Sequence, residues 1–207
     1  MKIAVLNYGV GNLKSIVNAL ASLPCDVALT NDAGEITSSD KLVLPGVGAF
    51  AYCMEQLVAN GLDSVVRQEA ASHKPMLGIC VGMQMLFDSS DEHGSHRGLG
   101  LIPGAVKKLP VQISNEVRLP HIGWNRVTYN RVVENKVFAE LPNEEEYYFV
   151  HSYACMPENS EHVLARASYA DVDFTAAVLR KSICGVQYHP ERSGPAGLAL
   201  LNNFVRH

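Results

Sequence analysis

The sequence lacks the features of several large protein classes. It has no run of lysine and arginine, its net charge is −4 and its pI is about 6.0, so we expect no nucleic acid as a partner. No apolar run approaches the roughly 20 residues that a membrane helix needs, so we expect no membrane span. Residues 1–6 are followed by neither a long apolar core nor a small-residue cleavage site, so we interpret them as a first strand and not as a signal peptide.

Cofactor and metal signatures are also missing. The five cysteines, at positions 25, 53, 80, 155 and 184, are odd in number and form no Cys-x-x-Cys pair. This argues against a zinc ribbon or a disulfide framework and favours reduced thiols in a cytoplasmic protein. The sequence has neither a phosphate-binding glycine loop nor a nicotinamide or flavin fingerprint, so we expect no cofactor. His93 and His96 lie three residues apart, but no cysteine or carboxylate set at zinc spacing accompanies them, and we expect no metal site.

What the sequence does contain is an alternation of short apolar runs with amphipathic segments. It predicts strands at 2–6, 26–30, 41–44 and 75–79, and helices at 12–23, 49–59, 62–72 and 81–87. Fully apolar strands that alternate with helices predict a parallel sheet covered on both faces.

The second half of the sequence has a different pattern. It predicts strands at 106–109, 126–129, 147–150, 163–168, 174–179 and 183–187, a closing helix at 197–205 and a polar loop at 88–98. Several of these strands are joined by turns, which indicates an antiparallel extension of the sheet. Since no repeat or linker interrupts the chain, we expect one domain, 1–207, with an α/β three-layer sandwich of the flavodoxin-like or Rossmann-like type.

The strongest local signal is Gly78-Ile79-Cys80-Val81-Gly82, where a predicted strand meets a predicted helix. This arrangement matches the nucleophile elbow of G-x-S-x-G hydrolases, with sulfur in place of oxygen. The elbow needs glycines because its backbone is strained and side chains two positions from the nucleophile would collide with the neighbouring strand or helix. By itself the motif is also compatible with a plain buried cysteine in a glycine-rich turn.

A thiolate nucleophile needs a base, and the base needs a third group that holds its tautomer. His189 directly follows a predicted strand, and Glu191 lies two residues further on. In an extended chain residues i and i+2 face the same way, so we expect Glu191 to reach His189 from that side. His189-Pro190-Glu191 alone also suits an exposed turn. Combined with the elbow cysteine in an α/β chain, it predicts a Cys80–His189–Glu191 triad.

Three motifs, in this order, make the sequence resemble the class I (triad) glutamine amidotransferases over nearly its whole length. They are Pro45-Gly46-Val47-Gly48, the elbow extended to Gln84, and His189-Pro190-Glu191. Within this family the sequence is most similar to the glutaminase subunits of imidazole glycerol phosphate synthase, an enzyme of histidine biosynthesis. That closer likeness rests on the segments 7–13, 45–50, 120–125 and 151–153, of which 120–125 contains the only tryptophan.

The resemblance implies a glutaminase with a Cys-His-Glu triad. Cys80 would attack the carboxamide of glutamine to give a thioester and ammonia, while His189 passes the proton to the leaving nitrogen and Glu191 orients the imidazole. Water would then release glutamate. The ammonia would go to a partner, a cyclase subunit with a (β/α)8 barrel, which makes imidazole glycerol phosphate and AICAR in a heterodimer with the glutaminase.

The resemblance also implies binding and docking residues. The oxyanion hole would use the N–H of Val81 and a donor at Val47 or Gly48, and we hypothesise that the loop 45–48 is misaligned until the partner's substrate binds. Glutamine would be held by these residues: Gly48, Gln84, Glu92, Ser152 and Tyr153. The docking face for the cyclase would include four residues: Asn12, His121, Trp124 and Arg192.

Two alternatives stay open at this point. A sibling amidotransferase that feeds anthranilate, aminodeoxychorismate or pyridoxal phosphate synthesis would run the same chemistry with another acceptor, although the segment around Trp124 and the opening 7–13 argue against it. A non-catalytic binding or redox-sensing protein with an elbow thiol would have a reactive Cys80 and no glutaminase activity.

Overall fold

The first half of the fold follows the predicted alternation of strands and helices. The computed structural model describes residues 1–114, 116–130 and 136–207. Its first half contains, in chain order, β1 (Lys2–Leu6), α1 (Leu13–Ala21), β2 (Asp26–Thr30), α2 (Ala33–Ser38), β3 (Lys41–Leu44), α3 (Phe50–Ala59), α4 (Leu62–Ala71), β4 (Met76–Ile79), α5 (Val81–Met85), β5 (Phe87–Ser90) and β6 (His96–Arg97). Strands β2, β1, β3 and β4 lie side by side and parallel, which confirms the predicted parallel sheet.

The second half adds the antiparallel extension that the sequence predicts. It contains β7 (Ile102–Lys108), β8 (His121–Tyr129), α6 (Lys136–Ala139), β9 (Glu144–His151), β10 (Tyr153–Pro157), β11 (Val163–Tyr169), β12 (Val172–Arg180), β13 (Ile183–Val186) and α7 (Gly194–Arg206). Strand β13 joins the parallel sheet beside β4, and the sheet then continues through β12, β10, β7, β5 and β6. Strands β11, β8 and β9 form an antiparallel branch from β12.

Helices cover both faces of the parallel strands. Helix α1 packs beside α7, whereas α2, α3 and α4 pack together. Helix α1 buries Ile16 and Leu20, which lie four residues apart on one face. Helices α3 and α4 are separated by Gly61, whose φ of +69° is the left-handed conformation that glycine adopts without a steric penalty. The turn predicted at this glycine is therefore present.

Several predictions of secondary structure were wrong in detail. The segment 88–98 was expected to be a loop, but it contains most of β5 and all of β6, short edge strands whose polar side chains hide the strand pattern. The helix expected at 81–87 ends at Met85, because Phe87 already pairs with Ile102 of β7. Helix α2 and strand β10 were not expected at all.

The sheet order brings two strand ends together. Strands β4 and β13 are parallel neighbours, with Gly78 opposite Gly185 and Ile79 opposite Val186. Residues that follow these two strands therefore emerge side by side at the same edge of the sheet. Cys80 follows β4 directly, and His189 comes three residues after the end of β13. The fold thus juxtaposes the two motifs, which are more than one hundred residues apart in the chain.

Candidate active site

The cysteine elbow predicted from the sequence is present at the junction of β4 and α5. Cys80 has φ +55° and ψ −113°, a conformation that a residue with a side chain rarely adopts. Its N–H donates to the carbonyl of Val186 on β13 (2.8 Å), so the strained residue is fixed to the neighbouring strand. Strain of this kind costs about 1–3 kcal/mol and persists where the surroundings over-determine the backbone. Cys80 is thereby held at the wall of a cavity, although the residue itself is buried.

Interlocking glycines make room for this elbow. A Cβ on Gly82 would lie 1.9 Å from the carbonyl oxygen of Leu44, at the end of β3. A Cβ on Gly78 would lie 2.8 Å from the carbonyl oxygen of Gly82, and one on Gly46 would lie 2.6 Å from the Gly82 nitrogen. The backbone of the loop 45–48 and the backbone of the elbow are therefore in direct contact. This contact explains why both motifs are rich in glycine.

The structure brings His189 and Glu191 to the sulfur. Nδ1 of His189 lies 2.9 Å from Oε1 of Glu191, and His189 lines the same cavity as Cys80. The carboxylate only accepts, so Nδ1 carries a proton and Nε2 is the atom left for the thiol. The expected extended geometry was wrong, because 190–192 forms a 3-10 turn that begins after His189. That turn, and not a strand, brings the carboxylate back to the imidazole.

The electrostatics of the triad favour a charged imidazole. Burial lowers the pKa of His189, but hydrogen bonds and charge interactions with Cys80 and Glu191 outweigh burial and raise the pKa to about 10. Glu191 has a fully buried side chain, and its Oε2 has no hydrogen-bond partner among the described residues. Such a buried carboxylate is best balanced by an imidazolium next to it. The surroundings of His189 therefore favour a protonated imidazole beside Cys80.

The loop 45–48 is held by contacts on both sides. The N–H of Val81 donates to the carbonyl of Gly46 at 3.3 Å, so the expected oxyanion donor already has an acceptor. The thiol of Cys53 donates to the carbonyl of Val47 at 3.4 Å, and the hydroxyl of Tyr8 donates to the carbonyl of Pro45. In this arrangement the group of the loop that faces the N–H of Val81 is the Gly46 carbonyl and not an N–H.

Most residues expected to hold glutamine line one cavity of about 270 Å³ with the nucleophile. Its lining residues are Asn12, Val47, Gly48, Cys80, Val81, Gln84, Glu92, Val150, His151, Tyr153, His189 and Arg192. Ser152 is not among them, and its carbonyl instead accepts from the N–H of Leu109 (2.9 Å). Oε2 of Glu92 accepts from the N–H of Phe50, at the start of α3, at 2.6 Å. Glu92 thus contributes a carboxylate to the wall of the cavity.

The residues expected on a docking face are divided between surface and interior. Trp124 is 55% exposed and packs edge-on against Tyr148 at 6.1 Å, and the guanidinium of Arg192 lies 4.6 Å from the centre of the same tyrosine ring. His121 is only 3% exposed, so its ring is part of the interior and does not itself present a surface. Ile122, which is 60% exposed, adds apolar surface beside Trp124.

Sequence reasoning missed two buried polar groups next to the nucleophile. His151 lies in the cavity wall, and its Nε2 is 3.1 Å from Nδ1 of His121 on the neighbouring strand. Gln187 is fully buried, and its Nε2 lies 3.8 Å from the sulfur of Cys80. The position of Gln187, two residues before His189, is a signal that the sequence offered. The pairing of the two histidines depends on strand register and had no local signal.

Two other cavities formed by described residues are larger than the cavity lined by Cys80 and His189, which we call the triad cavity. Their lining residues are less suited to nucleophilic chemistry. The two cavities measure about 520 and 690 Å³ and lie along β11 and β12. The thiol that lines one of them, Cys155, is buried, and burial raises its pKa well above the ordinary value, which disfavours a thiolate. The triad cavity is therefore the best-supported site for nucleophilic chemistry.

Comparisons with known proteins agree with this geometry. The family model for glutamine amidotransferase class-I matches residues 4–207. The imidazole glycerol phosphate synthase subunit HisH of Moorella thermoacetica is 43% identical over 208 residues, which cover 99% of this chain and 96% of that relative. The subunit of the same name from Methylococcus capsulatus is 44% identical over 210 residues, with 99% and 95% covered.

Solved structures of low sequence identity share the fold. A glutamine amidotransferase crystal structure superposes with a TM-score of 0.75 at 16% identity, over 99% of this chain and 97% of that one. PurLQS from Thermotoga maritima superposes with a TM-score of 0.73 at 19% identity, over 99% and 97%. Among the described residues, no helix is long and apolar enough to cross a membrane, and no group of three or more metal-ligating side chains is arranged around a common point. From the family match and the identity to its relatives, the chain belongs to the class-I glutamine amidotransferase family.

Proposed function

We propose that this protein is the glutaminase subunit of an imidazole glycerol phosphate synthase and acts in the cytoplasm as a single domain spanning residues 1–207. The observation that carries the proposal is that the Cys80 thiol shares a cavity with the His189 imidazole, which Glu191 holds at 2.9 Å. The choice among amidotransferases rests on relatives at 41–44% identity that are named as this subunit.

The reaction follows from the three side chains. The imidazolium of His189 pairs with the Cys80 thiolate, and the sulfur attacks the carboxamide carbon of glutamine. The C–N bond then breaks as His189 protonates the leaving nitrogen, which departs as ammonia and leaves a thioester on the sulfur. His189 next takes a proton from water, the hydroxide displaces the sulfur, and glutamate is released. Glu191 keeps its bond to Nδ1 in each step and so keeps Nε2 towards the reacting atoms.

Substrate binding uses the charges of the cavity. The carboxylate of Glu92 attracts the α-ammonium group of glutamine, and the carboxamide oxygen of Gln84 accepts from the same end. The backbone of Tyr153, which lines the cavity, completes the grip on the amino-acid end, whereas Ser152 does not line the cavity. Gly48, whose φ is +89°, lies beside the reacting amide, where a side chain would obstruct the substrate.

The loop 45–48 supplies the switch in this proposal. The N–H of Val81 donates to the Gly46 carbonyl at 3.3 Å. A negatively charged oxygen that forms beside Val81 would therefore face the Gly46 carbonyl and would not receive the Val81 hydrogen bond. Rotation of the peptide between Gly46 and Val47 would remove the carbonyl and present the Val47 N–H instead. A Val47→Pro variant has no such N–H, and we expect it to lose stimulation by the partner. Undiminished stimulated turnover would show that this peptide is not the donor.

The proposed partner is a cyclase with a (β/α)8 barrel that binds as a heterodimer and uses the ammonia. Its docking face would centre on the exposed Trp124, with Asn12 and Arg192 at the mouth of the cavity. Exposed tryptophan and arginine are favoured at interface hot spots, and this patch lies next to the catalytic turn. Ammonia would then leave the site directly into the partner.

A glutaminase assay of the purified chain, alone and with a cyclase subunit, tests the proposal. We expect little turnover alone and strong stimulation with the cyclase, and none with Cys80→Ala. A diazo-ketone analogue of glutamine should label Cys80 in the complex and abolish turnover. A reactive Cys80 without any glutaminase activity in the complex would favour a binding or redox-sensing protein, and stimulation only by a different acceptor enzyme would favour a sibling amidotransferase.

A further inference from the structure

Two buried carboxamides lie behind the nucleophile, and the triad does not use them. Gln84 on α5 is 3% exposed, and Gln187, which follows β13, is completely buried. Nε2 of Gln84 donates to Oε1 of Gln187 at 3.0 Å and to the carbonyl of Tyr153 at 3.2 Å. Both N–H groups of Gln84 are therefore engaged, and its oxygen is the atom left for a ligand in the cavity.

A backbone carbonyl fixes the orientation of both amides. The oxygen of Tyr153 is only an acceptor, so the atom of Gln84 that faces it must be the nitrogen. The second N–H of Gln84 then requires an acceptor on Gln187, which places Oε1 of Gln187 towards Gln84. The remaining atom of Gln187, the nitrogen Nε2, is consequently the one that faces the sulfur of Cys80, at 3.8 Å. If the Gln187 amide were flipped, its nitrogen would face the nitrogen of Gln84, and two donors would meet without an acceptor.

The sulfur thus has an acceptor on one side and a donor on another. The carbonyl of Val150 lies 3.8 Å from Sγ and can accept only from the protonated thiol. The Gln187 N–H lies at the same distance and interacts more strongly with a thiolate, because hydrogen bonds to a charged acceptor are the stronger ones. The two contacts act in opposite directions on the ionisation of Cys80, and only the one from Gln187 favours the nucleophilic form.

We propose that Gln187 is a further catalytic residue, which donates a hydrogen bond to the sulfur of Cys80 and stabilises the thiolate, and that Gln84 is its positioning residue. The inference rests on the proposed role of Cys80 as nucleophile. Stabilisation acts twice in the reaction, once when the thiol loses its proton and again when the thiolate leaves the thioester. Gln84 thereby gains a role towards the sulfur in addition to its expected contact with glutamine.

The test measures the ionisation of Cys80 directly. Iodoacetamide labelling of Cys80, followed by mass spectrometry across pH 5–10 in the complex with the cyclase subunit, gives the apparent pKa of the thiol for each variant. Gln187→Met removes the donor and keeps the side-chain length, and Gln187→Glu places an acceptor at the sulfur. We expect the midpoint to move upward by about one unit in Gln187→Met, a tenfold effect typical of one hydrogen bond to a charge, and further in Gln187→Glu.

A second variant and a control separate orientation from packing. Gln84→Met adds no charge but removes the donor that holds Oε1 of Gln187, so the Gln187 amide can turn and the labelling midpoint should rise in the same direction. Gln68→Met, at an exposed glutamine on α4, is the matched control and should change nothing. With Gln187→Met we also expect kcat for glutamine to fall three- to tenfold with little change in KM, because Gln187 does not line the cavity.

Unchanged labelling midpoints in both Gln187 variants would overturn the inference, including the case in which they only lower the melting temperature. This outcome differs from a failure of the proposed function. If the wild-type complex had no glutaminase activity, the proposed function would fail, while the labelling profiles would still report whether Gln187 acts on the thiol.

Discussion

Acidification should destabilise this protein through the buried pair of His121 and His151. Nδ1 of His151 lies 2.9 Å from the carbonyl oxygen of Tyr153, which only accepts, so Nδ1 carries the proton and Nε2 is an acceptor. Nε2 in turn accepts from Nδ1 of His121 at 3.1 Å. Tyr169 stacks on the His121 ring with centroids 4.1 Å apart and helps to exclude water. A proton added to either ring has no acceptor within this pair.

The magnitude follows from the lowered pKa values. Burial lowers the pKa of His121 to about 4 and that of His151 to about 3, against about 6.5 in the unfolded chain. Between pH 7 and pH 5 the unfolded chain therefore takes up protons that the folded protein does not, and stability falls as the pH falls. At about 1.4 kcal/mol per pH unit below 6.5, each imidazole removes about 2 kcal/mol from the free energy of unfolding at pH 5.

Urea unfolding at pH 7 and pH 5 checks this prediction by difference. The raised pKa of His189 acts with the opposite sign, because its stabilisation is fully present below pH 6.5 and is lost as the pH rises towards 10, but this contribution is common to the proteins compared. His151→Asn keeps a donor for the Tyr153 carbonyl and removes one titrating ring. Between pH 7 and pH 5 its free energy of unfolding should therefore fall by about 2 kcal/mol less than that of the wild type. His73→Asn, at an exposed position with positive φ that asparagine tolerates, is the control. Equal losses in all three proteins would refute the argument.

Three further substitutions test the site and its surroundings. Glu191→Gln should lower kcat for glutamine about 100-fold with little change in KM, because the imidazole loses the carboxylate that favours its charged form, and a normal kcat would remove Glu191 from the triad. Gly82→Ala should destabilise the fold by about 3 kcal/mol in a melting experiment, because its Cβ would lie 1.9 Å from the Leu44 carbonyl oxygen, and an unchanged melting temperature would contradict this close contact. Trp124→Ala should weaken binding of the cyclase by about 2 kcal/mol in a titration and leave thermal stability unchanged, and equal affinity would place the docking face elsewhere.

The parallel half of the fold was predictable because its signals are local. Strands β1, β3 and β4 are short runs of almost wholly buried apolar residues, which no exposed face interrupts. Helix α2 escaped prediction because only Ile36 of its six residues is buried, so it shows no apolar stripe. A capping signal was nevertheless available, since the side chain of Asp32 accepts from the N–H of Glu35 at 2.8 Å.

The second half was harder because its strands are mixed in composition and its pairing is non-local. Strand β10 contains a cysteine, a methionine and a proline, and it is held mainly by its pairing with β7. The triad motifs could be found because each lies within a few residues of a strand end. The His121–His151 contact could not, because it requires the register in which these two residues are opposite each other on β8 and β9. A shift of β8 by one residue relative to β9 would move the His121 ring to the other face of the sheet, away from His151.

Strand β9, one of these two strands, also holds the turn that contains His189 and Glu191. The carbonyl of Tyr148 on β9 accepts from the N–H of His189 at 2.9 Å, and the N–H of Tyr148 donates to the hydroxyl of Ser193 at 3.0 Å. That hydroxyl donates to the carbonyl of His189 at 2.6 Å. The turn that bears the base therefore continues the hydrogen bonding of β9 through a buried serine.

Strand β9 contacts the nucleophile as well, through the Val150 carbonyl 3.8 Å from the sulfur of Cys80. Cys80 and His189 follow strands of the parallel half of the sheet, and both are also in contact with β9 of the antiparallel half. Opposite Tyr148 on the neighbouring strand is Trp124, the most exposed aromatic ring beside the site. Because displacement of a catalytic group by about 1 Å can cost about 100-fold in rate, we expect a shift of β9 to change turnover if Cys80 and His189 act as proposed. We therefore expect a partner that binds Trp124 on β8 to act on the paired strand β9, which contacts both Cys80 and His189.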